Sequence, residues 1–261
     1  MLTSIILPAY NEEERILSSI SQLRVELPLI LTAIEGKQLG DHFEVIVVND
    51  GSGDRTGEIV SEYISQFPDF ELSLINLPHN RGKGYAVKVG IEAARGKYIS
   101  FMDTDLSTPI TELPKLIAAV QNDYAIAIGS RALPQSQIVQ HQPLYRELMG
   151  RIFNMLVRLF AINGIHDTQC GFKVFRAHTA KQIFGLLQTA RFAFDVEILL
   201  IAQELSIPIC EVPITWHNSP SSSVSPLRDS WEMFYTLLQM KRKVRKHLLG
   251  KFTAESVLHG N

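Results

Sequence analysis

Val45-Ile46-Val47-Val48 is a continuous apolar run of strand length. A run without alternation demands burial on both faces of a sheet. It ends the segment Phe43–Val48, and comparable runs occupy Ser4–Leu7, Leu72–Asn76, Tyr98–Met102 and Tyr124–Ile128. Helical patterns separate them, beginning near Glu12 and near Asp54 and covering Gly84–Ala94 and Thr111–Gln121. This alternation predicts an α/β fold with a mostly parallel central sheet covered by helices. At 261 residues, 46% of them hydrophobic, the chain can bury such a core.

The second half has a different rhythm. Arg146–Ile162 is helical in period, Phe172–Phe175 is a short strand and Phe194–Leu205 a helix. Ile209–Trp216 reads as a strand, and Pro213 within it predicts an edge position. Ser219–Ser223 has loop composition, and a last helix covers about Leu227–Leu249. Two units are expected: a main domain over residues 1–225, with halves meeting near 131, and an amphipathic, basic helix and tail over 226–261.

Several function classes are disfavoured at once. A net charge of −2 gives no general reason to bind nucleic acid. Two cysteines, Cys170 and Cys210, make no disulfide scaffold and read as small apolar residues in a reducing compartment. The N-terminus has a strand pattern without the basic start of a signal peptide, and no run reaches the roughly 18 apolar residues of a membrane span. The expected location is therefore cytoplasmic. The histidines show no metal spacing.

Ligands of parallel sheets lie beyond the carboxyl ends of the strands. That edge collects Pro8-Ala9-Tyr10-Asn11-Glu12, Asn49-Asp50-Gly51-Ser52, Asn80-Arg81-Gly82-Lys83-Gly84, Asp103-Thr104-Asp105 and Gly129-Ser130-Arg131. In an extended segment residues i and i+2 point the same way, so Asp103 and Asp105 could share one cation. A divalent ion on one or two carboxylates fills its remaining positions with water and substrate phosphate, which is the chemistry of a nucleotide-diphosphate donor. Asp-x-Asp is also an ordinary solvated strand end.

Each other element has two readings. Gly82-Lys83-Gly84 lacks the P-loop frame. It is a tight turn opening a helix, or a place where Arg81 or Lys83 reaches phosphate. Asp50 to Asp54 is a turn with a helix cap, and Asp50 is also a candidate partner for a nucleobase edge. Arg131 and Arg146 are solvated arginines or guanidinium forks for a phosphate. Asp167 and Gln169 lie in a loop between apolar segments. The last helix carries Trp231, Phe234, Tyr235, Leu238 and Val244, then the basic run Lys241–Lys246. It docks on the domain or lies on anionic lipid.

Leu7-Pro8-Ala9-Tyr10-Asn11-Glu12, Val48-Asn49-Asp50-Gly51-Ser52, Asn80-Arg81-Gly82-Lys83-Gly84 and Asp103-Thr104-Asp105-Leu106-Ser107 in this order resemble the nucleotide-sugar domain of glycosyltransferase family 2. Asp167-Thr168-Gln169-Cys170-Gly171-Phe172-Lys173 and Phe192-Ala193-Phe194-Asp195-Val196-Glu197 are similar to the dolichyl-phosphate β-glucosyltransferase branch, with the mannosyltransferases close by. The resemblance spans about residues 3–240. It implies a GT-A (Rossmann-like nucleotide-sugar) fold, a Mg²⁺ or Mn²⁺ cofactor, and inverting hexose transfer from a UDP- or GDP-sugar to polyprenyl phosphate at a membrane face. Glucose, and hence UDP-glucose, is favoured over mannose from GDP-mannose.

Carried over by position, Pro8, Tyr10, Glu12, Asp50, Lys83 and Asp103 would bind the nucleotide sugar. Asp103 and Asp105 would hold metal and diphosphate, and Arg131 and Arg146 the acceptor phosphate. Asp167, Gln169 and Lys173 would sit near the reacting sugar. Three positions depart from the pattern: Asn49 replaces the first acid of Asp-Asp-Gly-Ser, Ser107 stands where the mannosyltransferases often carry Gln, and Ser221-Ser222-Ser223 lacks the lysine of Gly-Ser-Lys. The competing expectations are a family 2 enzyme with a hydroxyl acceptor, for which Asp167 is the candidate base, and a nucleotide-sugar-binding protein without turnover.

Overall fold

The computed structural model describes residues 3–35, 43–140, 154, 155, 157, 162–218 and 239–251. The first half runs β1 (Thr3–Ala9), α1 (Ile16–Glu35), β2 (Phe43–Asn49), α2 (Thr56–Gln66), β3 (Leu72–Asn76), α3 (Lys83–Ala93) and β4 (Tyr98–Phe101). A short 3₁₀ turn, Ile110–Glu112, then leads into α4 (Leu113–Gln121) and β5 (Ile126–Ser130). The second half adds β6 (Gln137–Ile138), β7 (Lys173–Arg176), α5 (Ala177–Leu186), α6 (Phe194–Glu204), β8 (Ile209–Pro213) and β9 (Thr215–Trp216). Residues 239–251 form a last helix, α7.

Seven strands make one sheet in the order β3-β2-β1-β4-β7-β5-β8. All its pairings are parallel except those of β7, which runs antiparallel to β4 and β5. The mixed α/β architecture is the expected one. β8 is an edge strand, and Pro213 ends it opposite Ser130. β6 and β9 pair separately in parallel.

The continuous apolar strands divide their side chains between two cores. In β2, Ile46 and Val48 join a cluster with Val87, Ile91, Phe101, Phe175, Phe184 and Phe194 under α3, α5 and α6. Val45 and Val47 join the opposite cluster with Ile16, Ile20, Val60 and Leu116 under α1, α2 and α4. Each large side chain so buried contributes about 1.5–3 kcal/mol. Pro8 is tolerated in the central strand β1 because pairing with β4 ends at Ile6, so the sheet loses no donor there.

The main departures concern helices. α1 starts at Ile16, not near Glu12, because residues 11–13 are tied to the turn after β2. α5 was not foreseen. Arg146, most of the helix expected over residues 146–162, Ser219–Ser223, Trp231, Phe234, Tyr235, Leu238 and the boundary expected at 225/226 lie outside the described residues. In α7, Met240, Val244 and Leu248 dock on the first core, and Arg245 Nε reaches Glu204 Oε1 at 2.8 Å.

Candidate functional site

The loops at the carboxyl ends of β1, β2 and β3 are stitched together. Asn11, in the left-handed region at φ 54°, donates its N–H to Ser52 Oγ and accepts from the Gly53 N–H, both at 2.9 Å. Glu12 N–H donates to Thr56 Oγ1 at 2.8 Å, while Asp54 Oδ1 accepts the N–H of Thr56, the first residue of α2, at 3.0 Å. Asp50 is buried, and its carboxylate accepts the backbone N–H groups of Arg81 and Gly82, each at 2.8 Å. Asp50 thus anchors the Asn80–Gly84 loop with the oxygens foreseen for a nucleobase. Gly51, at φ 65°, has no room for a β-carbon, which would fall 2.4 Å from the His79 carbonyl carbon.

Asn49, which replaces an acid, uses both ends of its amide. Its Nδ2 donates to Asn76 Oδ1 at 2.8 Å and its Oδ1 accepts the Ser52 N–H at 3.1 Å. The amide therefore joins β2, β3 and the turn, which a carboxylate, having no donor, could not do in the same way.

Beyond these loops lies a cavity of about 220 Å³, walled by Lys83, Asp103, Asp105, Ser107, Arg131, Gln169, Gly171, Phe192, Asp195 and Trp216 among others. Lys83, Asp103, Asp105, Arg131 and Gln169 therefore meet in one space. Pro8, Tyr10, Glu12 and Asp50 do not line it and occupy the loops beside it. Glu12 is linked to it, hydrogen-bonded to Thr104 and within electrostatic reach of Asp105. Burial raises the Glu12 carboxyl above its usual range, against the lowering effect of Arg15.

Asp103 and Asp105 come together for a reason other than the one expected. β4 ends at Phe101, and a turn follows in which Leu106 N–H donates to the Asp103 carbonyl at 3.1 Å. Leu106 adopts φ 47°. The pair shares the cavity through this turn, not through extended i, i+2 geometry. Asp103 Oδ1 accepts from Lys83 Nζ, and Asp105 Oδ1 accepts the Ser107 N–H at 2.9 Å. Burial would lower the Lys83 ammonium, but Asp103 and Asp195 outweigh it and hold it above its ordinary value. Two carboxylates facing one cavity are a hard-oxygen donor set suited to Mg²⁺ or Mn²⁺ when a substrate phosphate completes the shell.

Arg131 leaves the end of β5 and locks onto Asp167 as a two-pronged fork, Nε to Oδ2 at 2.7 Å and Nη2 to Oδ1 at 2.8 Å. The Arg131 N–H donates to the same carboxylate at 2.9 Å. Asp167 is only 1% exposed. Burial would raise its carboxyl, but the Arg131 guanidinium holds it below the usual carboxylate range. Glu211 supports the loop from β8, accepting the N–H groups of His166 and Asp167 at 2.9 Å. Asp167 thus positions Arg131 and is a poor proton acceptor.

Lys173 also acts beneath the cavity. It is fully buried, and its Nζ donates to the Cys170 carbonyl at 2.6 Å and to Asp195 Oδ1 at 2.5 Å. Asp195 in turn lines the cavity, with its carboxyl raised by burial against Lys173 and Lys83. It falls in the Phe192–Glu197 motif without standing out there as a site residue; its acidic place in the first turn of α6 is the signal that points to it. Gln169 Nε2 is buried without a hydrogen-bond partner among the described residues, an amide donor left for a ligand oxygen. Cys170 is buried, and burial pushes its thiol up to about 11.

The model of glycosyl transferase family 2 matches residues 4–184. A dolichyl-phosphate β-glucosyltransferase of Dictyostelium discoideum is 36% identical over 97% of this chain and 77% of its own length. The protein of that name from Homo sapiens is 36% identical over 91% of this chain and 72% of its own length. Among solved structures, glucosyl-3-phosphoglycerate synthase of Mycobacterium tuberculosis, in complex with Mn²⁺, UDP-glucose and phosphoglyceric acid, superposes with a TM-score of 0.63. Its identity is 16%, and the match covers 93% of this chain and 79% of that one.

Proposed function

The chain belongs to glycosyltransferase family 2, and from that premise we propose that it transfers glucose from UDP-glucose to a polyprenyl phosphate of the dolichyl type, with inversion and with Mg²⁺ or Mn²⁺. The names of its relatives support donor sugar and acceptor. The observation that carries the acceptor class is the Arg131–Asp167 fork. A sugar-hydroxyl acceptor needs a base, and Asp167, the candidate, does not line the cavity, has both oxygens engaged by Arg131 and is held below the usual carboxylate range.

A phosphate monoester has a second pKa near 6 and is largely dianionic at neutral pH. Its oxygen attacks the anomeric carbon as the bond to the UDP oxygen breaks, and UDP departs with the electron pair. No proton needs to be removed. Arg131 offsets the acceptor's charge and Lys83 the diphosphate's, while Gln169 offers its unpaired amide to the sugar. Asp103 and Asp105 would hold the cation, which supplies charge neutralisation for the leaving diphosphate. Asp50 and Glu12, with Pro8 and Tyr10, would shape the nucleoside side. Arg146 remains a proposed second phosphate ligand.

We place the protein at the cytoplasmic face of a membrane, as a peripheral protein with a catalytic domain over residues 1–225 and a basic helical appendage over 226–261. Among the described residues no helix is long and apolar enough to cross a membrane. Arg242, Lys243 and Lys246 are exposed on the side of α7 away from its docked face, a basic surface suited to anionic lipid.

The test is direct. Protein, Mn²⁺, labelled UDP-glucose and polyprenyl phosphate are incubated and lipid is extracted. Labelled lipid is expected. Transfer to a sugar hydroxyl with none to lipid overturns the acceptor assignment.

A further inference from the structure

Asp103 already has a cation within its own chain. Its Oδ1 accepts from Lys83 Nζ. Its Oδ2 lies against Gly171, where a β-carbon would sit 2.0 Å from that oxygen. Asp105 Oδ1 is engaged by the Ser107 N–H, which leaves Asp105 Oδ2 without a hydrogen bond among the described residues. The carboxylate pair therefore offers an incoming ion two oxygens without a hydrogen bond among the described residues, Asp103 Oδ2 and Asp105 Oδ2, with an ammonium already bound to Asp103 beside them. Lys83 is the first residue of α3, and its side chain is 20% exposed. Its ammonium also lies within electrostatic reach of Asp195 and Asp105.

Building on the donor-site reading above, we propose that the Lys83 ammonium is an internal stand-in for the divalent cation, occupying Asp103 until a nucleoside diphosphate arrives and then passing to the diphosphate oxygens. An ammonium and a divalent ion on one carboxylate repel each other in a small cavity. A diphosphate removes the conflict because it supplies acceptors for both. Lys83 thus couples metal affinity to nucleotide affinity, and the coupling is reciprocal. Asp195 keeps Lys83 in the cavity after it leaves Asp103. A lysine that only touches the diphosphate would leave affinity for metal alone unchanged.

Mn²⁺ binding is read from the free-ion electron paramagnetic resonance signal, with and without UDP, at constant ionic strength. Wild type, Lys83→Met, Lys83→Gln and Lys83→Arg are compared, and circular dichroism identifies the folded variants. Removing the charge is expected to tighten Mn²⁺ binding without UDP by about tenfold or more, while weakening metal-free UDP binding. Lys83→Arg, which keeps a cation on Asp103, is expected to behave as wild type. Either folded neutral variant decides. Unchanged or weaker Mn²⁺ affinity in that variant, with Mn²⁺ and UDP still binding wild type together, overturns this proposal alone. No Mn²⁺ binding by wild type even with UDP overturns the donor-site reading as well.

Discussion

Gly171 stands so close to Asp103 that a β-carbon on it would lie 2.0 Å from Oδ2 and 2.5 Å from Cγ of the carboxylate. The glycine is needed for space, not for an unusual backbone angle. Gly171→Ala is therefore expected to fold and to displace the carboxylate. Loss of one preorganised group of this kind costs about 10²–10³ in rate. Steady-state transfer assays on the folded variant check this, and wild-type turnover would show that Asp103 needs no fixed orientation.

Asp105→Asn keeps the shape and the hydrogen bond from Ser107 but removes the charge. Metal-dependent transfer is expected to fall by about 10²–10³, with thermal stability little changed. Undiminished activity would remove this carboxylate from the mechanism.

Arg131 and Asp167 supply a prediction about acid. The folded-state pKa of Asp167 lies below its unfolded value, so the fork's stabilisation is fully present above about pH 4 and is lost as pH falls through the folded value. Asp167→Asn leaves Arg131 without its counter-charge and is expected to cost about 3 kcal/mol at neutral pH. Its stability should fall less than wild type's on acidification. Urea titrations at pH 7 and pH 3.5 measure both, and equal acid sensitivity would contradict the assignment.

Lys173 and Asp195 form a buried pair below the cavity. Lys173→Met strands a buried carboxylate and should cost about 3–5 kcal/mol. The double variant Lys173→Met/Asp195→Leu removes both charges and should recover much of that stability. Its transfer activity should stay low, because Asp195 lines the cavity. Recovery of activity along with stability would make the pair purely structural.

The exposed face of α7 predicts salt-dependent lipid attraction. Replacing Arg242, Lys243 and Lys246 by Gln should weaken binding to phosphatidylserine vesicles by about 1 kcal/mol per residue while leaving the melting temperature near that of wild type. Vesicle sedimentation that ignores both the substitutions and the anionic lipid would contradict it.

Much of this architecture was readable from local pattern. Phe43–Val48 matches β2 within a residue, because a run buried on both faces leaves no competing period, and Leu72–Asn76 matches β3, an edge strand that is only partly buried. α1 began later than expected because Glu12 and Glu13 spend their N–H groups on Thr56 and Asp54, partners more than forty positions away. The insertion of β7 between β4 and β5 left no local trace, since strand order is decided by packing across the sheet. In the site, residue types were legible and partnerships were not. Asp167 and Lys173 looked like groups facing substrate, yet Arg131 and Asp195 claim them. Those contacts join segments more than twenty residues apart.

The reversed direction of β7 also sets when the site can exist during folding. Because it runs against β4, Lys173 pairs with Phe101, and the segment leading into β7 carries Gly171 to Asp103. A nascent chain that has emerged only through β5 has both acidic residues of the turn but lacks the Gly171 wall, Gln169 and the Asp167 that orients Arg131. Catalytic competence is thus deferred to a late, long-range closure of the sheet, the slow kind of pairing in which a loop must be closed before it is rewarded. An incomplete chain has no assembled centre with which to hydrolyse donor sugar.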